Sequence, residues 1–341
     1  MRKSLLALLL MGWAGIGQAQ VPLREDHPQR YTVVAGDTLW SIASRFLRDP
    51  WQWPALWQAN SNVADPSRIY PGDSLALVRV AGEPRLTLER GASHGTLKLS
   101  PQVRRTPLAE AIPSIPLQAI DSFLLGNRIL EGADAFASAP YVVAGDAERV
   151  LSGTGDRIFA RGRFDPERPA YGIFRQGKTY TDPQSGELLG INADEIGGGE
   201  VVAVEGDIAT LRLQRTTQEV RLGDRLFGGE PRAVNATFAP SPPSQAVDGL
   251  IIDVPRGVTQ IGALDVVTLN KGRRDGLVEG NVLAVMKTGE TVRDRVAGGS
   301  LKMPDERAGL LMVFRTYDKL SYGLVLNASH SLAVLDKVRN P

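Results

Sequence analysis

Apolar residues follow helical and strand-like spacings in turn along the first part of the chain. Tyr31–Val34 has the pattern of a short strand, and the next apolar positions recur at three- and four-residue intervals typical of one helix face, at Leu39, Ile42, Ala43 and Phe46. Residues 53–60 repeat the helical spacing, and Ser74–Val78 return to a strand pattern. The predicted order is strand, helix, helix, strand.

Turn and capping residues separate these elements. Gly36 tolerates a positive φ angle, and Asp37 is predicted to cap the first helix. Pro54 suits the first turn of the second helix, and Tyr70–Asp73 reads as a turn before the return strand. One compact unit is expected here, since it holds four of the five tryptophans, namely Trp40, Trp51, Trp53 and Trp57.

The remainder divides by composition. Residues 80–117 carry scattered prolines and predict a tether with short ordered pieces, with a short amphipathic helix possible near residues 112–124. Residues 118–235 and 250–341 read as β-rich, and residues 236–249 as a Pro/Ser-rich linker or surface loop. The predicted strands of the last part are Val266–Leu269, Val282–Val285, Leu310–Phe314, Tyr322–Leu326 and Leu332–Val334. The fold class is α+β, with a mainly β carboxyl-terminal region that forms a barrel or a sandwich.

The amino-terminal residues 1–19 have the pattern of a secretory signal peptide. Arg2 and Lys3 precede an apolar run, and small residues stand where a signal peptidase would cut after Ala19. The run is short for a membrane span, so we expect export without membrane insertion after cleavage.

Composition removes several function classes. The chain has 39 Lys+Arg against 38 Asp+Glu, so no global field favours a nucleic-acid partner. It has no cysteine and only three histidines, which excludes thiol catalysis and leaves little for a zinc site. No metal, cofactor or catalytic residue is predicted.

The amino-terminal unit resembles a LysM module, a small βααβ fold that binds glycans containing N-acetylglucosamine, above all peptidoglycan. The resemblance covers residues 31–79 and rests on Tyr31-x-Val33-x-x-Gly36-Asp37-Thr38-Leu39-x-x-Ile42-Ala43, on Asn60 and on Ile69-Tyr70-Pro71-Gly72-Asp73.

This resemblance implies a shallow glycan groove between two loops. One side of the groove would be Gly36, Asp37, Thr38 and Leu39, and the other Ile69, Tyr70, Pro71 and Gly72. Backbone groups there could bond an acetamido group while apolar atoms receive the sugar ring. The competing interpretation is that Gly36 and Gly72 are turn glycines, Asp37 a helix cap and Leu39 part of the core. The tryptophans are expected in the core, except that Trp51 or Trp53 could instead cover the groove edge.

Further motifs resemble one subgroup, the secretin-associated proteins of type IV pili. They are Asp49-Pro50-Trp51-x-Trp53-Pro54, the Ile-Tyr-Pro-Gly-Asp turn and Ile112-Pro-Ser-Ile-Pro-Leu117. The resemblance implies a periplasmic, wall-associated adapter whose partner is the outer-membrane secretin. The alternatives are a general glycan-binding envelope protein without a pilus role, or an accessory of a peptidoglycan hydrolase.

Overall fold

The computed structural model describes residues 21–57, 69–80, 83–89, 113–120, 123, 127–146, 150–165, 167, 169–228, 238–255, 257, 260–289 and 291–341. The signal peptide, Asn60 and most of the tether predicted from the sequence lie outside these residues. No helix within the described ranges is long and apolar enough to cross a membrane.

The amino-terminal unit combines two short helices with a three-stranded antiparallel sheet. Strands β1 (Arg30–Thr32), β2 (Ser74–Val80) and β3 (Glu83–Glu89) pair in that order, and helices α1 (Leu39–Phe46) and α2 (Trp53–Trp57) pack on them, preceded by a 3₁₀ turn at Pro50–Gln52. The apolar stripe on α1 predicted from the sequence enters the core with Trp53, Leu56, Trp57, Ile69 and Leu75. The helical spacing therefore marks a buried face.

The segment predicted as a tether contributes two ordered pieces. Strand β3 pairs with β2 along its whole length, from Ser74 opposite Glu89 to Val80 opposite Glu83. Farther on, Ser114, Ile115 and Ile120 are buried, with a 3₁₀ turn at Leu117–Ala119 where the sequence suggested a short amphipathic helix. The apolar residues between the prolines are therefore used for packing.

The middle of the chain forms a strongly curved antiparallel sheet. Its order is β10-β7-β5-β12-β8-β9-β4, and β10 also pairs with β9, so the sheet curls back on itself. A tight hairpin at Gly206-Asp207 joins β9 to β10. The elements are β4 (Asn127–Leu130), α3 (Ala133–Ala137), β5 (Tyr141–Gly145), β6 (Leu151–Ser152), β7 (Arg157–Arg161), β8 (Ala170–Thr181), β9 (Leu188–Glu205), β10 (Ile208–Thr216), β11 (Val220–Arg221) and β12 (Arg225–Gly228). The short strands β6 and β11 pair separately.

The last part is a closed six-stranded barrel, which decides between the two predicted β architectures. Its order is β13-β14-β19-β18-β15-β20, and a separate hairpin joins β16 to β17. The strands are β13 (Asp248–Asp253), β14 (Val266–Leu269), β15 (Val282–Lys287), β16 (Thr291–Arg293), β17 (Ser300–Lys302), β18 (Glu306–Thr316), β19 (Ser321–Ala328) and β20 (Lys337–Arg339), with a 3₁₀ turn at Arg273–Asp275.

The strand predicted at Leu332–Val334 is wrong. Leu332 makes only an isolated bridge to Ile261, and the chain then turns, with Leu335 at φ 76°. The Asp336 carboxylate accepts the Ala333 N–H at 2.8 Å, so this turn delays the last strand until Lys337.

The Pro/Ser-rich segment between the two β-rich parts is attached to the barrel. Ser241 forms a parallel bridge with Asn281, and Pro240 and Pro243 are buried. Phe238 is also buried, in the cluster described next. The segment therefore runs along the barrel surface.

A single apolar cluster joins all parts of the chain. Residues from strand β18 enter two cores in alternation: Leu311 and Val313 pack inside the barrel, whereas Leu310, Met312 and Phe314 face outward. The outward residues belong to one shared core with Tyr322 of the neighbouring strand β19. The other regions contribute Trp40, Ile115, Ile120, Phe123, Ile129, Tyr180, Leu189 and Phe238. Both faces of β18 are buried from Ala308 to Phe314, and this stretch is a continuous apolar run.

Polar contacts surround the shared core. Glu187, in the turn between β8 and β9, accepts two hydrogen bonds of 2.8 Å from the Arg274 guanidinium and lies 2.7 Å from the Lys319 ammonium. Asp49, beside the 3₁₀ turn of the amino-terminal unit, pairs with Arg307 of the barrel at 2.9 Å. The curved sheet, the barrel and the amino-terminal unit are thus packed against one another.

Replacing Trp40 with alanine should loosen the barrel as well as the amino-terminal unit. The side chain is 6% exposed within the shared core, and removing a buried aromatic costs about 3–5 kcal/mol. We expect faster hydrogen exchange in β18 and β19. Trp57→Ala is the matched control because Trp57 packs only in the amino-terminal core, and it should leave exchange in the barrel unchanged. Unchanged barrel exchange in Trp40→Ala would contradict the shared core.

The Glu187 contacts predict a defined acid sensitivity. Hydrogen bonds from Arg274 and Lys319 lower the pKa of Glu187 from 4.5 to about 2. The folded-state pKa is depressed, so the stabilisation is complete above about pH 4.5 and is lost as the pH falls towards 2. Melting temperatures between pH 6 and pH 2 should fall less steeply in Glu187→Gln than in the wild type. Glu205→Gln removes one exposed acidic group elsewhere and should keep the wild-type slope.

Candidate glycan-binding site

Sheet pairing brings the two loops that follow β1 and precede β2 side by side. The Val33 N–H donates to the Asp73 carbonyl at 2.8 Å, and the Gly72 N–H donates to the Val33 carbonyl at 2.8 Å. These two bonds continue the ladder of β1 and β2 beyond the strands. The loops at residues 34–38 and 69–73 therefore form one continuous edge.

Each loop is built on the same tight turn. The Asp37 N–H donates to the Val34 carbonyl at 3.2 Å, and the Asp37 carboxylate accepts the Val34 N–H at 2.9 Å. Asp73 makes the equivalent pair of bonds with Tyr70, at 3.1 and 3.0 Å. The residues before the aspartates, Gly36 and Gly72, have φ angles of 92° and 98°, which favour glycine.

Only part of the predicted groove reaches the surface. Gly36, Pro71 and Gly72 are exposed and Tyr70 is half-buried, whereas the other predicted residues are buried: Asp37, Thr38, Leu39 and Ile69. The exposed edge also includes Val34, at 53%. Sequence reasoning did not select Val34, although an apolar residue directly before the turn is a signal for it.

The helix cap is Thr38, so the sequence-based assignment of the cap to Asp37 is wrong. Thr38 has extended backbone angles, its hydroxyl accepts the Ser41 N–H at 3.0 Å, and its own N–H donates to the Ser41 hydroxyl at 2.9 Å. Asp37 instead closes the preceding turn. Its carboxylate also accepts the Tyr31 hydroxyl at 2.9 Å. Burial, and then the bond to Asp37, raise the pKa of Tyr31 above its ordinary value, so the phenol remains a donor.

The first two N–H groups of α1 are already occupied within the chain. The Leu39 N–H donates to the Pro113 carbonyl at 3.0 Å, and the Trp40 N–H donates to the Ser114 carbonyl at 3.2 Å. Among the described residues, the N–H groups of Ala35 and Gly36 donate to no protein acceptor. Backbone donors for a ligand therefore lie at the tip of the first turn and not at the helix start.

The tryptophans are packed rather than presented to a sugar. Trp53 and Trp57 lie in the core of the amino-terminal unit, and the half-buried Trp51 packs against the shared core. Trp40 is buried as expected, but it lies in the contact with the barrel and not in the core of its own unit. The spacing of apolar residues identifies Trp40 as buried without indicating which unit buries it.

The exposed edge suits an uncharged ligand. It combines backbone amides at Ala35 and Gly36 with the apolar surfaces of Val34 and Pro71, and its two carboxylates are turned inward to their own turns. Amides can bond an acetamido group while apolar atoms cover the C–H face of a sugar ring.

Comparison with known proteins identifies this unit. Residues 31–77 match the LysM domain. Uncharacterized protein YqbP of Bacillus subtilis (strain 168) is 35% identical over 60 residues, which cover 15% of this chain and 27% of that relative. The chain thus matches about a quarter of the length of this curated relative. A LysM domain implies binding of peptidoglycan or a related glycan and is typical of extracellular or cell-wall-associated proteins. Residues 31–77 of this chain are a LysM domain.

Proposed function

We propose that this protein is a non-catalytic adapter of the periplasm, which binds peptidoglycan through its LysM domain and fixes the outer-membrane secretin of a type IV pilus to the cell wall. The observation that carries the glycan-binding part is the LysM match at residues 31–77, together with the exposed edge formed by the loops around Gly36 and Gly72. In this proposal, N-acetylglucosamine lies along that edge.

The absence of catalysis is argued from the residue types available. LysM domains accompany many wall hydrolases, but the chain has no cysteine nucleophile, and its three histidines have no zinc-binding spacing. Purified protein incubated with sacculi should therefore release no soluble muropeptides. Release of such fragments would contradict the adapter proposal and indicate a peptidoglycan hydrolase.

Substitution of Gly72 tests the groove directly. In Gly72→Val the new side chain has open space, since no heavy atom lies within 4 Å of a Cβ at this position, but it projects from the exposed loop at a φ of 98°. A side chain at such an angle also strains the loop by about 1–2 kcal/mol. We expect at least a tenfold loss of co-sedimentation with purified sacculi.

The control must carry the same strain away from the groove. Gly155 offers this match: it precedes an aspartate in a similar turn of the curved sheet, has a φ of 92°, and also has no heavy atom within 4 Å of a Cβ. Gly155→Val should therefore sediment like the wild type. Equal sedimentation of Gly72→Val and Gly155→Val would remove the groove assignment.

The secretin partner is supported by sequence detail alone. The Asp-Pro-Trp-x-Trp-Pro segment at 49–54, the Ile-Pro-x-Ile-Pro-Leu segment at 112–117 and the turn at 69–73 resemble the secretin-associated subgroup. In this proposal the β-rich body binds the secretin, and the exposed edge of the LysM domain remains accessible to peptidoglycan.

Affinity purification from detergent-solubilised envelopes decides between the adapter and a general wall-binding protein. We expect a secretin to be recovered with the full-length protein, and to be recovered equally with Gly72→Val, because the glycan edge is separate from the partner surface. Recovery of peptidoglycan fragments without a secretin would support the general wall-binding alternative.

A further inference from the structure

A cavity lies beside the exposed edge, on the outer face of helix α1. It has a volume of about 570 Å³ and is lined mainly by Arg24, Asp26, Tyr31, Ser41, Ser44 and Arg45. The segment before β1 forms its far wall by packing back on the end of the helix, where the Arg24 N–H donates to the Phe46 carbonyl at 2.9 Å. The cavity is therefore a built feature of the folded unit.

Most polar groups in this cavity are already paired with protein atoms. The Arg24 guanidinium donates from Nε and Nη2 to the two oxygens of the Asp26 carboxylate, both at 2.9 Å. The Tyr31 hydroxyl donates to Asp37 at 2.9 Å, and the Ser44 hydroxyl donates to the Ser41 carbonyl at 2.7 Å. The Ser41 hydroxyl donates to the Thr38 carbonyl at 3.0 Å.

Arg45 is the exception. Its guanidinium lies over the Tyr31 ring, 4.7 Å from the ring centroid. Within the part of the chain that the structure describes, no carboxylate lies within ion-pair distance of it. Arg24 and Asp26 neutralise each other, and the Asp37 carboxylate lies behind the Tyr31 hydroxyl that it accepts, so among the described residues Arg45 is the lining guanidinium without a carboxylate partner. Stacking on an aromatic ring fixes the guanidinium plane and leaves its edge open to a bidentate acceptor.

We propose that this cavity binds a carboxylate of peptidoglycan while the neighbouring edge holds the sugar. A single guanidinium binds one carboxylate bidentately and balances its single charge, whereas the committed hydroxyl groups supply no further donors for a doubly charged phosphate. Peptidoglycan carries carboxylates on its peptide stems and on the lactyl groups of stem-free muramic acid. The inference rests on the proposed glycan binding at the adjacent loops.

The two sites are adjacent through Asp37. One oxygen of its carboxylate accepts both the Tyr31 hydroxyl in the cavity wall and the Val34 N–H in the first loop of the edge. A ligand that spans both sites therefore lies on a continuous surface. Its carboxylate can bind in the cavity while the neighbouring uncharged sugar binds at the exposed edge.

The test uses the full-length mature protein and three soluble probes in titration calorimetry. A pentamer of N-acetylglucosamine has no carboxylate, peptide-free glycan strands carry lactyl carboxylates, and stem-bearing fragments carry stem carboxylates. For Arg45→Gln we expect unchanged affinity for the pentamer and about two- to fivefold weaker affinity for carboxylate-bearing probes, the range of one exposed ion pair. A loss confined to stem-bearing fragments identifies the stem carboxylates, a loss confined to peptide-free strands identifies the lactyl group, and a loss on both shows that the cavity accepts either carboxylate.

Two further variants distinguish a specific role of Arg45 from a general effect of net charge. Arg48→Gln removes the same charge close to the end of α1, but Arg48 is already paired with Glu25 at 2.9 Å, so its affinities should stay at the wild-type level. Arg45→Lys keeps the charge without the planar fork and should recover part of the affinity. Raising the salt concentration should shrink the difference between the wild type and Arg45→Gln.

Three results would overturn the inference. The first is equal affinity of Arg45→Gln and the wild type for every probe. The second is an equal loss in Arg48→Gln, which would assign the effect to net charge. The third is an equal loss on the uncharged pentamer, which would assign Arg45 to the fold or the sugar. If the wild type binds none of the probes, the proposed glycan binding fails and this inference fails with it, a result distinct from the other three.

Discussion

The packing of Trp40 against the barrel is the contact on which the arrangement of the chain depends. Trp40 stands at the start of α1, next to the loop that carries the exposed edge. Its side chain nevertheless belongs to a core shared with Ile115, Phe238 and Tyr322. The carbonyls of Pro113 and Ser114 bond the first amides of the same helix. One helix start therefore links the LysM domain, the segment after it and the barrel. The bonds to Pro113 and Ser114 also determine which backbone donors a ligand can reach. They occupy the first amides of α1 and leave those of Ala35 and Gly36, in the preceding turn, accessible.

Local patterns predicted the LysM domain well because its elements are decided by neighbouring residues. The stripe from Leu39 to Phe46 and the turn at 70–73 both carry their own signals in spacing and in turn chemistry. Long-range packing could not be predicted in the same way. Ile115 is buried by partners distant in sequence, and β3 carries Pro84 although it forms a hairpin with the adjacent β2, so a proline-rich composition suggested only a tether. The predicted strand at 332–334 failed for a local reason, because the Asp336 carboxylate closes a turn on the Ala333 N–H within the apolar stretch.

The candidate glycan site shows how little of such a surface is specified by sequence motifs. The turn of Gly36 and Asp37 recurs with the same carboxylate-to-amide bond through the β-rich body, where it leads into strands, at Asp156, Asp224, Asp265 and Asp336. At Asp265 and Asp336 the preceding residue with positive φ is a leucine, Leu264 or Leu335, so glycine is favoured there without being required. Half of the predicted groove proved to be interior because Asp37 closes the turn, Thr38 caps α1, and Leu39 and Ile69 belong to the core. Exposure, and not the motif itself, separates the residues available to a sugar from those that shape the loop.

The shared core also has a mechanical meaning. A glycan-binding domain on a loose chain would behave as an entropic spring, lengthening under small forces before any load reached the rest of the molecule. Here the apolar contact of Trp40 and the ion pair between Asp49 and Arg307 clamp the LysM domain to the barrel. Force applied at the exposed edge would be transmitted directly to the β-sheets. The distance between the LysM domain and the barrel would stay constant until the shared core unfolds.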